Sequence, residues 1–334
     1  MTRTSRADPD SLDRILHEQL GVIARHQAPA AGVTVSALRH RLRSGGPWST
    51  LLPGVYLAMT GTPTPLQQEM AALLYAGPGS MVTGPAALRC HHIGSAMPDL
   101  VDVLVPATRQ RQDAGFARLH RTTRMPGRIW ERGPIRYVPP ARAVADTARG
   151  TDSLRDVRAV VADAVQRRAC QVQDLAAELT AGPSAGSALF KLALADVAGG
   201  IRSVAEADLK DLLAKAKIPA PLFNPALYDT DGTFIARPDA WWPELGIAIE
   251  VDSREWHLSP QDHASTLARG RRMARYQIIV LRFTPGQIRS EPAAVARDIR
   301  QALAGAQGRP PLNLRTVPAG EPGEVLSRGS AAVA

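Results

Sequence analysis

The sequence has few cysteines and no long apolar segment, and each absence excludes a class of protein. Its 2 cysteines, Cys90 and Cys170, are far apart and neither belongs to a Cys-x-x-Cys pair, so neither a disulfide framework nor a zinc site is indicated. No run approaches the roughly 18 uninterrupted apolar residues of a membrane-spanning helix, and the N-terminal stretch has no hydrophobic run resembling a signal peptide. We therefore expect a cytoplasmic protein.

Acidic residues are outnumbered by basic ones. The chain of 334 residues has 40 lysines and arginines against 31 aspartates and glutamates, which gives a formal net charge of +9. Such an excess suits an anionic partner, either nucleic acid or a membrane surface. Hydrophobic residues make up 45% of the chain, enough for ordinary cores, and the length predicts two or three domains.

The most informative stretch of the chain is residues 237–257. If its centre forms a strand, alternation places the isoleucines on one face and Glu250 and Asp252 on the other. Asp239 would come close to them if residues 233–240 form the antiparallel neighbour through a turn at 243–246. Three carboxylates this close require a positive partner, and Mg²⁺ or Mn²⁺ binds one or two carboxylates together with water and substrate phosphate. The plainer alternative is an amphipathic strand whose acids face solvent.

The spacing of this stretch supports the metal interpretation. A Pro-Asp pair ends at Asp239, and Glu-x-Asp follows after ten residues. This pattern lies between a predicted helix bearing Glu206 and a basic helix, and it resembles the PD-(D/E)XK nuclease superfamily. It is most similar to the bacterial domain of unknown function related to very-short-patch-repair endonucleases, over about residues 200–304. The resemblance implies a mixed-sheet α/β fold of the restriction-endonuclease type, with Asp239 and Glu250 as metal ligands and Glu206 as an accessory acid.

Asp252 departs from the pattern of this superfamily, which usually has lysine at that position. An aspartate cannot steady the attacking water or the scissile phosphate by its charge, so we expect Asp252 to add a ligand oxygen. His257, whose pKa lies near neutral when unperturbed, could serve as acid or base. Nearby arginines could supply the missing positive charge or bind the duplex, namely Arg254 and, in the next helix, Arg269, Arg271 and Arg272.

Glu206 also has a purely structural interpretation. Ser203 and Glu206 form a Ser-x-x-Glu capping box, in which hydroxyl and carboxylate accept from free backbone donors at a helix start. We favour this role for Glu206 while allowing a role at the metal as well.

The first sixty residues predict a winged helix-turn-helix. Helical spacing predicts helices from Leu12, over Val22 to Ala28, and from Thr34, followed by a β-hairpin around Pro53. In this fold the third helix would enter the DNA groove, and its basic residues are Arg39, Arg41 and Arg43. The alternative is a small helical cap whose arginines are merely solvated.

Residues 21–56, which end in Leu-Pro-Gly-Val-Tyr, look like the N-terminal domain of abortive-infection type IV antitoxins. The resemblance implies binding to operator DNA, an antitoxin-like middle domain and a cognate toxin as a possible protein partner.

The middle region mixes helices and strands but shows no chemistry in its sequence. Its histidines, at 91, 92 and 120, have no acidic partner at ligand spacing, so we expect structural or surface roles. Asp99 and Asp102 flank a predicted strand and are weak metal candidates; a solvated strand end is the favoured interpretation.

These observations predict a multidomain α+β protein. Its parts are a winged helix-turn-helix at 1–60, an α+β middle domain at 61–198, an endonuclease-like domain at 199–304 and a disordered tail at 305–334, rich in Gly, Pro, Ala and Ser. The predicted function is Mg²⁺-dependent hydrolysis of DNA phosphodiester bonds, with DNA and not a membrane as the partner. The alternative is a non-catalytic repressor or antitoxin-like regulator that keeps the nuclease fold as a scaffold, which the missing lysine favours.

Overall fold

The computed structural model describes residues 9–94, 99–252 and 260–319. The chain divides into two compact units, the first formed by Met1–Asp152 and Arg167–Ser187 and the second by Ser153–Gln166 and Ala188–Ala334. Each unit contains helices and strands, which confirms the predicted α+β class. Among the helices in the described ranges, none combines the length and the apolar character that crossing a bilayer requires.

The first unit opens with a small antiparallel sheet and two helices. In chain order these elements are α1 (Pro9–Glu18), β1 (Val22–Ala24), α2 (Val35–Leu42), β2 (Ser49–Leu52) and β3 (Val55–Leu57). The sheet order is β1-β3-β2, so the predicted hairpin of β2 and β3 is confirmed. The helix predicted over Val22 to Ala28 is wrong, because its first three residues pair with β3 and are fully buried. A short apolar run cannot be assigned to helix or strand by periodicity alone.

A second, mixed sheet follows in the same unit. The next elements along the chain are α3 (Pro65–Ala76), β4 (Met81–Val82), α4 (Gly84–Cys90), β5 (Val101–Pro106), β6 (Ala117–Thr122), β7 (Trp130–Arg132), β8 (Ile135–Tyr137), α5 (Pro140–Arg149), α6 (Leu154–Gln166), α7 (Val172–Ala181) and α8 (Ala188–Ala198). The sheet order is β6-β5-β4-β8-β7, in which β5 and β6 are parallel. Helix α3 contacts both sheets, whereas α6 and α8 belong to the second unit.

The second unit is built around a four-stranded sheet. Its remaining elements are α9 (Val204–Lys215), β9 (Leu222–Phe223), β10 (Ala226–Tyr228), β11 (Phe234–Ala236), β12 (Ala240–Trp242), β13 (Ile247–Val251), α10 (Pro260–Arg275), β14 (Ile279–Phe283), α11 (Pro285–Ser290), α12 (Pro292–Gly305) and β15 (Arg315–Val317). The order is β14-β13-β12-β9. Strands β13 and β14 are parallel and the other pairs antiparallel, so the predicted mixed sheet is confirmed.

Both faces of this sheet are covered. Ile247 and Ile249 of β13 pack with buried residues of α9, α11 and α12 on one face. On the other face Ala248 packs with Trp241 of β12 and Met273 of α10. Because strand side chains alternate, the two faces of β13 enter two different cores. From the sequence we expected only one apolar face.

The C-terminal stretch that the structure describes is ordered. Strand β15 pairs with β10 in a second sheet of order β11-β10-β15, and Trp241 Nε1 donates to Thr316 Oγ1 at 3.2 Å. Leu312 and Leu314 pack against the core that contains Trp241. The prediction of disorder over 305–334 is therefore wrong for the segment that leads into β15 and for β15 itself; residues 320–334 lie outside the described residues. The Gly- and Pro-rich composition suggested disorder, but burial of the two leucines and pairing of the strand stabilise this segment.

A glycine substitution tests the packing of this stretch. Gly246 has φ +63°, and a Cβ there would lie 2.7 Å from Leu312 Cδ1, whereas Gly232 has φ +81° with open space around it. Gly232→Ala should lower the free energy of unfolding by about 1–2 kcal/mol through backbone strain alone. Gly246→Ala should lower it by a further 1–3 kcal/mol, roughly the usual cost of overpacking. Urea unfolding of both variants measures the difference; equal losses would show that Leu312 does not pack here.

Candidate active site

Glu250 is the acid of the site that the fold buries most deeply. It lies one residue before the end of β13 and is only 4% exposed, on the face that packs against α10. The predicted alternation is confirmed, since Glu250 shares this face with Ala248 and not with the isoleucines. The alternative of an acid that faces solvent is wrong for Glu250, because an inner strand covered on both faces has no solvent side.

Asp239 comes beside Glu250 through the turn between β12 and β13. Its amide donates to Ile249 O at 3.0 Å, and its Oδ2 accepts from Val251 N at 2.6 Å. The turn is closed by Leu245 N and Gly246 N, which donate to Trp242 O. An antiparallel neighbour of β13 is therefore present, but it is β12 and not residues 233–240 as expected, because β11 pairs with β10 in the other sheet. The Asp239 carboxylate is held against the backbone of β13.

Glu206 is tied to Asp239 through a single asparagine. Ser203 Oγ accepts from Glu206 N at 3.2 Å, as in the predicted cap, but the Glu206 carboxylate accepts from Arg202 N and Ser203 Oγ and not from Ser203 N. Asn224 Nδ2 also donates to it, at 2.5 Å, while Asn224 N donates to Asp239 O at 3.1 Å. Glu206 thus has a structural role at the start of α9 and connects this helix to the acidic site.

The site has its own cations, and one of them, Arg269, is among the arginines expected to supply positive charge here. Arg269 of α10 places Nη2 2.7 Å from Glu250 Oε2. Arg282 lies in register with Glu250 on the neighbouring strand β14, and its charge also acts on the carboxylate. Within the described residues, Glu250 Oε1 and Arg269 Nε are buried without a hydrogen-bond partner. The ion pair therefore leaves one buried carboxylate oxygen unsatisfied.

Burial and mutual repulsion disfavour the ionised acids. Burial raises the pKa of Asp239 to about 7, and the charges of Glu206 and Glu250 add to this rise. Burial also raises the pKa of Glu250, against the opposing charges of Arg269 and Arg282, and it raises the pKa of Glu206. The two arginines beside Glu250 thus do not offset the cost of burying these acids.

Two of the predicted metal ligands, Asp239 and Glu250, are suited to binding a hard divalent cation. Asp239 and Glu250 lie together, and Glu250 Oε1 has no other use within the described residues. Mg²⁺ needs only one or two protein carboxylates, since water and substrate oxygens complete its shell. No group of three or more Asp, Glu, His or Cys arranged to bind a metal occurs in the described part of the chain. A site built here would therefore depend on two carboxylates.

The other predicted site residues differ in whether they contact this pair of acids. Asp252 is half-buried just beyond β13, and its amide donates to Phe283 O at 2.9 Å. His257 lies outside the described residues. Arg271 and Arg272 are exposed on α10, so of the three predicted arginines of this helix only Arg269 contacts the acids.

The predicted DNA-binding arginines lie at and just beyond the end of α2, where they can reach a partner. Thr34 Oγ1 accepts from Ala37 N and caps this helix, as expected. Arg39 and Arg43 are exposed, and Arg41 stacks on the ring of Trp48 at 5.2 Å. Sequence reasoning missed Asn224 and Arg282. Arg282 had a signal, since it is the one charge in the apolar strand Ile279–Phe283.

Comparisons with known proteins add no assignment. No protein-family model matches the chain, and a search of curated proteins returns no significant match. Function is therefore inferred from the residues of the site.

The raised pKa of Asp239 predicts a pH-dependent stability. Between pH 4 and 7, roughly, Asp239 is protonated when folded and ionised when unfolded, so unfolding releases a proton. The free energy of unfolding should fall as pH rises through this window, by an amount on the order of a few kcal/mol. Asp239→Asn should flatten the fall, whereas Asp231→Asn, at an exposed turn, should not.

Urea unfolding in the presence of EDTA, repeated across this pH window, provides the measurement. A slope in Asp239→Asn equal to that of the wild type would contradict the buried, protonated Asp239.

Proposed function

We propose that the second unit is a metal-dependent phosphodiesterase acting on DNA. The observation that carries the proposal is the convergence of Asp239 and Glu250 at the carboxyl end of the parallel pair β13–β14, with one buried oxygen of Glu250 unsatisfied within the described residues. Ligands of mixed and parallel sheets bind at the carboxyl ends of strands. Asp239 and Glu250 would hold Mg²⁺ or Mn²⁺, which would activate water and neutralise charge on the phosphate.

Arg269 and Arg282 provide the positive charge that the superfamily pattern places on lysine. The side chain of Arg269 is 38% exposed while it contacts the buried carboxylate. Arg282 is exposed on the adjacent strand. Guanidinium groups bind phosphate oxygens in a bidentate manner. A cation on Glu250 would compete with Arg269 for the carboxylate and release it toward the scissile phosphate.

Plasmid nicking tests this function. Wild-type protein with Mg²⁺ or Mn²⁺ should nick supercoiled DNA, and Asp239→Asn and Glu250→Gln should each reduce the rate by a factor on the order of 100 or more, because each removes a ligand to the catalytic ion. The matched control is Glu244→Gln, an exposed glutamate in the turn between β12 and β13. Arg282→Ala should reduce the rate by a smaller factor.

Two results would count against the enzyme. Nicking that persists in both carboxylate variants would come from a contaminant, and no nicking across metals and substrates would leave the nuclease-like fold as a scaffold.

A further variant tests the role of Asp252. Reduced activity in Asp252→Lys would show that Asp252 contributes as an acid and does not mark a lost lysine.

A second function, a non-catalytic DNA-binding regulator of the antitoxin type, is favoured by one observation. Arg269 pairs with Glu250, so this carboxylate has a positive partner within the protein, as expected of a nuclease fold kept as a scaffold. In that case DNA binding would depend on the exposed arginines of the first unit. The antitoxin-like resemblance extends this alternative to a cognate toxin as partner.

DNA binding through α2 is testable whichever function holds. Changing Arg39, Arg41 and Arg43 to alanine should weaken duplex binding and flatten its salt dependence, by roughly 0.9 in the log-log slope for each phosphate that is no longer neutralised. The control removes the same charge elsewhere, with three exposed arginines of α11 and α12 changed to alanine, Arg289, Arg297 and Arg300. Equal slopes in the two folded triple variants, measured by fluorescence anisotropy, would rule out α2 as the DNA-binding element.

A further inference from the structure

A pocket of about 360 Å³ lies in the first unit, where the sequence suggested no chemistry. Strands β5 and β6 and helix α5 contribute most of its charged lining. We call it the β5–α5 pocket and define it by six side chains, Asp102, Arg118, His120, Arg142, Asp146 and Arg149. All of them belong to the first unit, so the pocket is independent of the acidic site.

One side of the β5–α5 pocket is organised by Asp102. This residue is 4% exposed, which makes the predicted solvated strand end wrong. His120 Nε2 lies 2.6 Å from its Oδ1, and Arg118 Nη2 donates to Oδ2 at 2.8 Å. His120 therefore has the acidic partner that sequence spacing did not reveal, because parallel pairing of β5 and β6 brings them together.

A glycine is required beside this carboxylate. Gly84 has φ +63°, and a Cβ there would lie 2.8 Å from Asp102 Oδ2. Burial raises the pKa of Asp102, but hydrogen bonds from His120 and Arg118 outweigh it and the pKa is lowered overall. Asp102 is therefore an ionised and fully engaged group, with Arg118 and His120 each about half exposed beside it.

The opposite side of the pocket carries two buried guanidinium groups and one carboxylate. Arg142 is 6% exposed and its Nε donates to Asp146 Oδ1 at 2.8 Å. Arg149, with a side chain 10% exposed, places Nη1 3.9 Å from the same oxygen. Thr83 Oγ1 donates to Asp146 Oδ2 at 2.7 Å. Asp146 thus serves two arginines and a hydroxyl at once.

Positive charge exceeds negative charge in the lining. Arg121 adds a fourth arginine, so four guanidinium groups stand against the carboxylates of Asp102 and Asp146. Burial lowers the pKa of Arg149, and the neighbouring charges of Arg142 and Arg124 act in the same direction, against Asp146 and Glu178. A cleft with excess positive charge concentrates anions, and guanidinium groups match phosphate oxygens in particular.

We propose that the β5–α5 pocket binds a small phosphate monoester with a hydroxylated body, of the class of sugar phosphates and nucleoside monophosphates. The phosphate lies at the buried Arg142 and Arg149, and the hydroxylated body lies toward the half-exposed Arg118 and His120, whose nitrogen atoms hydrogen-bond hydroxyl groups. The volume lies at the lower end of the range for small-molecule sites, about 300–1,000 Å³.

Titration calorimetry and thermal shift of the full chain test the site with five probes. These are adenosine monophosphate, ribose 5-phosphate, inorganic phosphate, adenosine and a 5′-phosphorylated oligonucleotide. We expect both phosphate esters to bind and raise Tm, inorganic phosphate to bind more weakly, and adenosine not to bind. Arg149→Lys should weaken binding of the esters at least tenfold, because lysine cannot keep the hydrogen bonds to Ser187 Oγ and Glu178 O that hold the charge of Arg149 in the pocket.

Because Arg149→Lys alters a buried side chain, Arg121→Ala and His120→Asn provide two variants at exposed positions, each expected to weaken binding severalfold. Arg128→Ala, an exposed arginine of the same unit outside the pocket, should leave affinity unchanged. No binding of any phosphate ester at millimolar concentration would overturn the proposal. So would equal affinity in wild type and all pocket variants, or binding confined to a 5′-phosphorylated oligonucleotide.

Discussion

The structure of the second unit depends on the burial of one carboxylate, that of Glu250. An ionised carboxylate removed from water costs several kcal/mol unless a charge or hydrogen bonds compensate for it. Arg269 supplies part of that compensation from α10, the helix that lies between the parallel strands β13 and β14 in the chain, and the pKa of Glu250 stays raised by burial. Position 250 therefore constrains the strand, the helix and the adjacent strand together, since moving any of them would leave a buried charge unpaired.

Asp239 is held in place by a series of polar contacts that begins at helices α6, α8 and α9. Arg158 of α6 pairs with Asp196 of α8 and Asp211 of α9, each at 2.7 Å. Helix α9 in turn carries Glu206, which Asn224 joins to the backbone of Asp239. These contacts give the acidic pair a rigid setting, which a site for ordered chemistry needs.

Sequence reasoning predicted the parts of the site that local rules govern. Alternation and a tight turn placed Asp239 beside Glu250, and Ser203 marked the start of α9. It named Arg269 only as one of several arginines that could supply positive charge, and it missed Arg282 and the pairing of His120 with Asp102, because these contacts join elements distant in sequence. It also missed helix Ala188–Ala198, where apolar residues are spread around the helix and leave no clear face to detect.

The choice between an enzyme and a scaffold depends on whether Asp239 and Glu250 bind a metal ion. In that case the ion would replace Arg269 as the positive partner of Glu250. A crystal soaked in Mn²⁺ and measured at the manganese absorption edge answers this question. We expect an anomalous peak coordinated by Asp239 and Glu250 Oε1, with the Arg269 guanidinium moved away from the carboxylate. No peak, with Arg269 still paired to Glu250, would contradict the cation site and leave the second unit as a scaffold.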